Sequence, residues 1–258
     1  MVTLATWNVN SIKTRLGHLS QWVTQAQPDI LFLQELKCET DAFPRLEVEA
    51  LGYKVYHVGQ KSYNGVALLS KQPLEVRLER LPGEDEDAQA RYIEARLGDL
   101  TLGCLYLPNG NPVESEKYGY KLRWMARLEA RARALLAEEK PFVLGGDFNI
   151  IPQDEDVYAP EAWAHDALFK LESREAWRRI CNLGLTEAFR ALHPDEAQAY
   201  TFWDYQAGAW PQDKGLRIDH FLLSPEAVSR LEDCVIDKTP RGWEKASDHT
   251  PVMLRMAD

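Results

Sequence analysis

Apolar residues along the chain fall into two rhythms. Short runs rich in β-branched and aromatic residues, bounded by Gly, Pro or Asn, predict strands at Leu4–Val9, Ile30–Gln34, Val66–Ser70 and Tyr92–Leu97. The same signal marks Thr101–Leu107, Phe142–Gly146, Ile218–Leu223 and Pro251–Arg255. Three- and four-residue spacing predicts helices at Ser11–Ala26 and Glu114–Glu138, with shorter ones near Ala162–Lys170, Ser173–Leu183 and Thr186–Leu192. In the longest, Tyr118, Leu122, Met125, Leu128, Ala132 and Leu135 mark one buried face. Arg123, Arg127 and Arg131 lie on another face, exposed or salt-bridged. Strands and helices alternate loosely, and several strand pairs are joined by turns. Two packed mixed sheets flanked by helices fit this pattern better than one all-parallel sheet.

Composition narrows the class. At 258 residues the chain can form one large α/β domain or two small ones. A hydrophobic content of 45% suits a globular protein with a full core. No apolar stretch approaches the roughly 20 residues of a membrane span. Met1–Trp7 reads as a strand rather than a signal peptide. Cys38, Cys104, Cys181 and Cys234 are scattered, which predicts neither a disulfide framework nor a zinc site and fits a reducing cytoplasm. The formal charge of −10 argues against a general polyanion-coating protein. It leaves a DNA enzyme open, because local potential at a binding face outweighs the sum. The run Glu84–Asp87 reads as a solvated turn or, alternatively, as a mobile flap.

Candidate chemistry clusters at strand ends. Asp147 and Asn149 follow the apolar run Phe142-Val143-Leu144 and the pair Gly145-Gly146, which permits close backbone approach. Two residues apart, they share a face if the chain is extended, although Asp and Asn are also ordinary turn residues. Glu35 ends the apolar strand Ile30–Gln34, where a carboxylate needs a cation or donors unless it reaches the surface. Magnesium takes one or two protein carboxylates and otherwise waters and phosphate oxygens, so Glu35 is the first choice of ligand, with Asn8 beside it. Asp219 sits among apolar residues and could orient His249 or pair with Arg217; His220 points to the opposite face and reads as structural. Asn64-Gly65 reads as a tight turn that could also touch a phosphate.

Trp7-Asn8-Val9-Asn10, Leu33-Gln34-Glu35-Leu36-Lys37, Tyr106-Leu107-Pro108-Asn109-Gly110, Gly146-Asp147-Phe148-Asn149, Arg217-Ile218-Asp219 and Ser247-Asp248-His249 occur in this order along nearly the whole chain. That order resembles the exonuclease III family, the abasic-site endonucleases of the endonuclease/exonuclease/phosphatase superfamily. The resemblance implies one catalytic domain over residues 1–258, built as a four-layer α/β sandwich with two central mixed β-sheets flanked by helices. It implies a DNA-repair phosphodiesterase using Mg2+, or Mn2+, with one or two ions. The expected cut is 5′ to abasic sites in duplex DNA, with digestion of recessed 3′ ends and removal of 3′ blocks. A superfamily phosphodiesterase acting on another phosphoester is the alternative, and a catalytically dead scaffold is disfavoured because no motif residue is missing. A monomer is the default.

By the same resemblance, Glu35 would hold the metal with Asn8 and Asp248. Asp147 would activate or orient water, Asn149 would stabilise the charged phosphate state, and Tyr106 and Asn109 would contact the phosphate. His249 would bind it, oriented by Asp219; a second ion could lie among Asp147, Asn149 and His249. Phe202, Leu216 and Ile218 would line a pocket for a base-less sugar, with Lys214 and Arg217 adding positive charge for DNA. Some relatives carry Trp at the place of Leu216.

Overall fold

The computed structural model describes all residues, Met1–Asp258. In chain order the elements begin β1 (Val2–Asn8), α1 (Ile12–Ala26), β2 (Ile30–Gln34), α2 (Arg45–Glu49), β3 (Lys54–Val58), β4 (Val66–Ser70), β5 (Glu75–Leu78), β6 (Tyr92–Leu97) and β7 (Leu100–Tyr106). There follow α3 (Glu116–Leu136), β8 (Phe142–Asp147), α4 (Pro160–Trp163), α5 (Leu171–Cys181), β9 (Thr186–Glu187) and α6 (Ala188–Leu192). The chain closes with β10 (Asp219–Leu223), α7 (Pro225–Val228), β11 (Leu231–Ile236) and β12 (Val252–Met256).

The strands form two six-stranded sheets, ordered β11-β12-β1-β2-β4-β3 and β5-β6-β7-β8-β10-β9. Each is mixed: β1 with β2 and β7 with β8 run parallel, and their other pairings are antiparallel. Side-chain alternation explains the layers. In β2, Ile30 and Phe32 point into the core between the sheets, while Leu31 and Leu33 join the core beneath α1 and α2. In β8, Val143 faces the inter-sheet core, and Phe142 and Leu144 face α3 and α5. Strands buried on both faces therefore read as unbroken apolar runs. Helices, sheet, sheet, helices make four layers. Across the middle, Phe32 meets Phe221 edge-on at 5.6 Å, and a Cβ on Gly145 would strike the Phe221 ring.

Two helix expectations give way to local hydrogen bonding. The helix expected near Ala162–Lys170 is only α4, ending at Trp163. Beyond it, the Asp166 carboxylate accepts from Leu168 N at 2.8 Å and from Asn111 Nδ2 at 3.1 Å, while Asn111 Oδ1 accepts from Ala167 N at 3.0 Å. Those bonds compete with helix formation. The expected helix Thr186–Leu192 splits into β9 and α6, because Glu187 caps the latter by accepting from Arg190 N at 2.7 Å. The acidic turn is docked, not a free flap: Asp87 takes 2.7 Å and 2.8 Å bonds from Arg127 and the Tyr120 hydroxyl of α3.

Candidate active site

Strand register assembles the first row of the site. Asp147, last in β8, lies beside Tyr106 of β7 and directly opposite Asp219 of β10. Two carboxylates facing each other across strands repel unless a cation intervenes. His249, on the loop entering β12 of the other sheet, supplies it. Its Nδ1 donates to Asp219 Oδ2 at 2.9 Å, and its Nε2 lies 3.6 Å from Asp147 Oδ2. Burial pulls the His249 pKa down, but Asp219 and Asp147 outweigh it and bring the imidazole up to about 10. Burial pushes the Asp147 carboxyl up to about 7, with His249 opposing and Asp219 adding to the rise. The His249 backbone is fixed by Trp7 Nε1 on its carbonyl at 3.2 Å and by the Ser247 hydroxyl on its N–H at 3.2 Å.

The second row comes from β1 and β2. Asn8 Nδ2 donates to Glu35 Oε2 and to Asp147 Oδ2, each at 2.9 Å, so one amide ties the two sheets. Its Oδ1 accepts from Asn10 N at 3.0 Å. Asn8 thus bridges the two carboxylates through its amide nitrogen. Glu35 occupies a left-handed backbone conformation, φ 57°, as do Asn10 and Asn149 at 44° and 46°. Such strain persists where surrounding contacts enforce it. Burial raises the Asp248 carboxyl, with His249 opposing and Glu35 adding to the rise. Lys37 balances Glu35 from outside at 3.1 Å. Burial, with Glu35 and Asp147 close by, pushes the Tyr106 hydroxyl well above its ordinary range and keeps it a neutral donor. Asn149 donates one side-chain N–H to Leu107 O at 2.8 Å and its backbone N–H to Asp147 Oδ1 at 2.9 Å.

These groups open on a cleft of about 310 Å3 lined by Glu35, Tyr106, Asn109, Asp147, Asn149, Asp248 and His249. Phe202, Leu216 and Ile218 form one apolar wall, and Leu168 and Trp163 pack beside them. Leu216 and Ile218 are only 1% and 2% exposed, so that wall is tight. Lys214 is exposed. Asn64, at φ 54°, sits in a neighbouring polar cleft and is held by Gln60 and Gln89.

Arg217 is a correction. It is 1% exposed, bonded through Nε to Asp156 at 2.7 Å and through Nη1 to Glu187 at 2.9 Å. A guanidinium so enclosed cannot reach a phosphate; it braces the segment carrying Leu216, Ile218 and Asp219. Residues the sequence reading passed over include Thr201, whose hydroxyl donates to Asp219 Oδ2 at 2.7 Å. Lys121 is another; a lysine inside the apolar stripe of α3 was its visible signal.

Asp147, Asp219 and His249 place ligand atoms within 4.8 Å of one another, a group able to hold a metal ion. Asp219 Oδ1 is buried without a hydrogen-bond partner, which suits a ligand more than a closed salt bridge.

The Endonuclease/Exonuclease/phosphatase family profile matches residues 5–249. Exodeoxyribonuclease III of Haemophilus influenzae is 35% identical over 95% of this chain and 96% of its own. The chain belongs to the exonuclease III and AP endonuclease family. An AP endonuclease structure from Archaeoglobus fulgidus superposes with a TM-score of 0.95 at 36% identity, covering 100% of both chains. A Neisseria 3′ phosphatase bound to a product DNA hairpin gives 0.96 at 36%, again over 100% of both. The protein is a DNA-repair hydrolase of the exodeoxyribonuclease III type. No helix is long and apolar enough to cross a membrane.

Proposed function

We propose that this family member hydrolyses the phosphodiester 5′ to abasic sites in duplex DNA and clears recessed or blocked 3′ ends. The observation that carries this reading is the convergence of Glu35, Asp147 and the Asp219–His249 pair on one cleft with an apolar wall at Phe202, Leu216 and Ile218. A base-less sugar costs less to extrude than an intact nucleotide, and such a wall suits its dry face. The adjoining polar cleft, about 490 Å3 and lined in part by Arg91 and Lys117, offers cations to a longer polyanion.

In this mechanism Asp147 orients the attacking water and takes its proton. Asn8 and the Asn149 N–H hold its carboxylate in place. The charged His249, steadied by Asp219, binds a phosphate oxygen, and the Tyr106 hydroxyl, Asn109 and Asn149 supply further contacts. The P–O bond opposite the attacking water breaks, and the departing 3′ oxygen takes a proton from solvent water to become a 3′ hydroxyl; alignment is set by these fixed donors. Glu35 and Asp248, two carboxylates lining the same cleft with Lys37 beside Glu35, would hold a magnesium or manganese ion. When bound, that ion neutralises charge on the phosphate.

One gel tests the reading: a tetrahydrofuran-containing duplex, a recessed 3′ end and a 3′-phosphate, each with magnesium. Cleavage 5′ to the tetrahydrofuran is expected. An uncut duplex alongside hydrolysis of a small phosphodiester would return the protein to another phosphoester. Asp147→Ala and His249→Ala should each lose at least about a hundredfold in kcat, the scale of removing a principal catalytic group.

A further inference from the structure

The inward face of α3 is apolar at Tyr118, Trp124, Met125 and Leu128, yet Lys121 stands among them with 0% exposure. A methionine or leucine would fill the same stripe without desolvating an ammonium. The lysine stem threads beneath the turn at Gly110, whose φ is +90°; a Cβ there would lie 2.7 Å from Lys121 Cδ and 3.1 Å from Ala167 Cβ. Side chain and turn are thus fitted to each other.

The ammonium ends on two main-chain carbonyls, that of Asn149 at 2.6 Å and that of Asn109 at 3.0 Å. Neither carbonyl has another donor. Asn149 follows β8 and Asn109 follows β7, so one lysine joins the loops leaving two neighbouring strands. Both asparagines line the catalytic cleft, and Asn149 holds its left-handed backbone, φ 46°, over that contact. Lys121 itself is sealed from the cleft.

We infer that Lys121 is a positioning residue that locks the Asn109 and Asn149 loops together so that both side-chain amides address one phosphate. The inference rests on the phosphodiesterase reading above. Displacements near 1 Å can cost about a hundredfold in rate, so a tie between two phosphate-facing loops acts on turnover more than on stability.

Lys121→Met keeps the stem and removes the donors. With saturating magnesium, kcat on the tetrahydrofuran duplex and on the 3′-phosphate should fall at least about tenfold while KM stays within about threefold and the variant stays fully folded at the assay temperature. In an Asn149→Ala background the same change should cost little more, because residues acting as a unit are not additive. A crystal structure of the variant should show the Asn109 and Asn149 loops displaced. Wild-type kcat in Lys121→Met, full additivity with Asn149→Ala, or a loss of kcat with both loops unmoved would each overturn the role. So would a rate loss that only follows a falling melting temperature. If Lys121→Met does not fold, Lys121→Gln, with one amide donor, is read by the same criteria. A wild-type enzyme that cuts neither DNA substrate sinks the proposed function instead, and the loop positions in the variant structure then decide the lysine's role.

Discussion

Asp147, Asp219 and His249 show how far single residues could be read from order along the chain. Their types and strand-end positions were visible. The cross-strand opposition of Asp147 and Asp219, which a charged imidazole relieves, came only with the register. Arg217 shows the opposite case. Beside Asp219 and a run of aromatics it read as a DNA contact, yet its partners Asp156 and Glu187 lie 61 and 30 positions away. No local pattern announces such a meeting. Removing one partner of a buried ion pair strands the others, so Arg217→Met should destabilise the protein by about 3–5 kcal/mol in urea melts. A change below about 1 kcal/mol would show that Asp156 and Glu187 do not depend on it. His249 gives a pH test in metal-free protein. Its pKa rises from the ordinary 6.5 to about 10 on folding, so its proton stabilises the fold fully below 6.5, and that contribution is lost as pH climbs through about 10. The melting-temperature advantage of wild type over His249→Gln in EDTA should therefore shrink from pH 6.5 toward 10. An advantage that grows over that range would contradict the ion pairing.

Among elements, the division between legible and illegible is topological. The eight anticipated strands, β1, β2, β4, β6, β7, β8, β10 and β12, are all interior to their sheets. The four without a sequence signal, β3, β5, β9 and β11, are the four edges. Most interior strands are buried on both faces and read as apolar runs, although β12 keeps an exposed Arg255. Edge strands carry charges, as in Leu231-Glu232-Asp233-Cys234, and β9 has two residues. Function sits on the legible set, since Asn8, Tyr106, Asp147 and Asp219 end or begin interior strands. Their spacing depends on the close packing of β7 and β8. A Cβ at Gly146 would overlap the Leu105 carbonyl oxygen, a backbone atom that cannot swing aside. Gly146→Ala should cost at least about 3 kcal/mol, at the upper end of overpacking effects, and lower the melting temperature in circular dichroism. A variant as stable as wild type would mean that β7 and β8 have slack between them.

For the molecule as a whole, loose alternation of strands and helices was enough to indicate two mixed sheets flanked by helices. It could not indicate that the sheets share one set of catalytic groups. Glu35 and His249 come from the β1–β2–β12 sheet, Asp147 and Asp219 from the other, and the Asn8 amide spans the gap. Most of what joins the halves is apolar contact such as Phe32 on Phe221. Hydrophobic packing is non-directional, whereas in-line displacement at phosphorus tolerates little misalignment. The enzyme therefore works as a vernier, with its two scales engraved on separate plates. Warming, or trimming Phe221→Leu, should blunt catalysis before circular dichroism registers any melting, because a small slip of one plate over the other spoils the reading while leaving each plate whole.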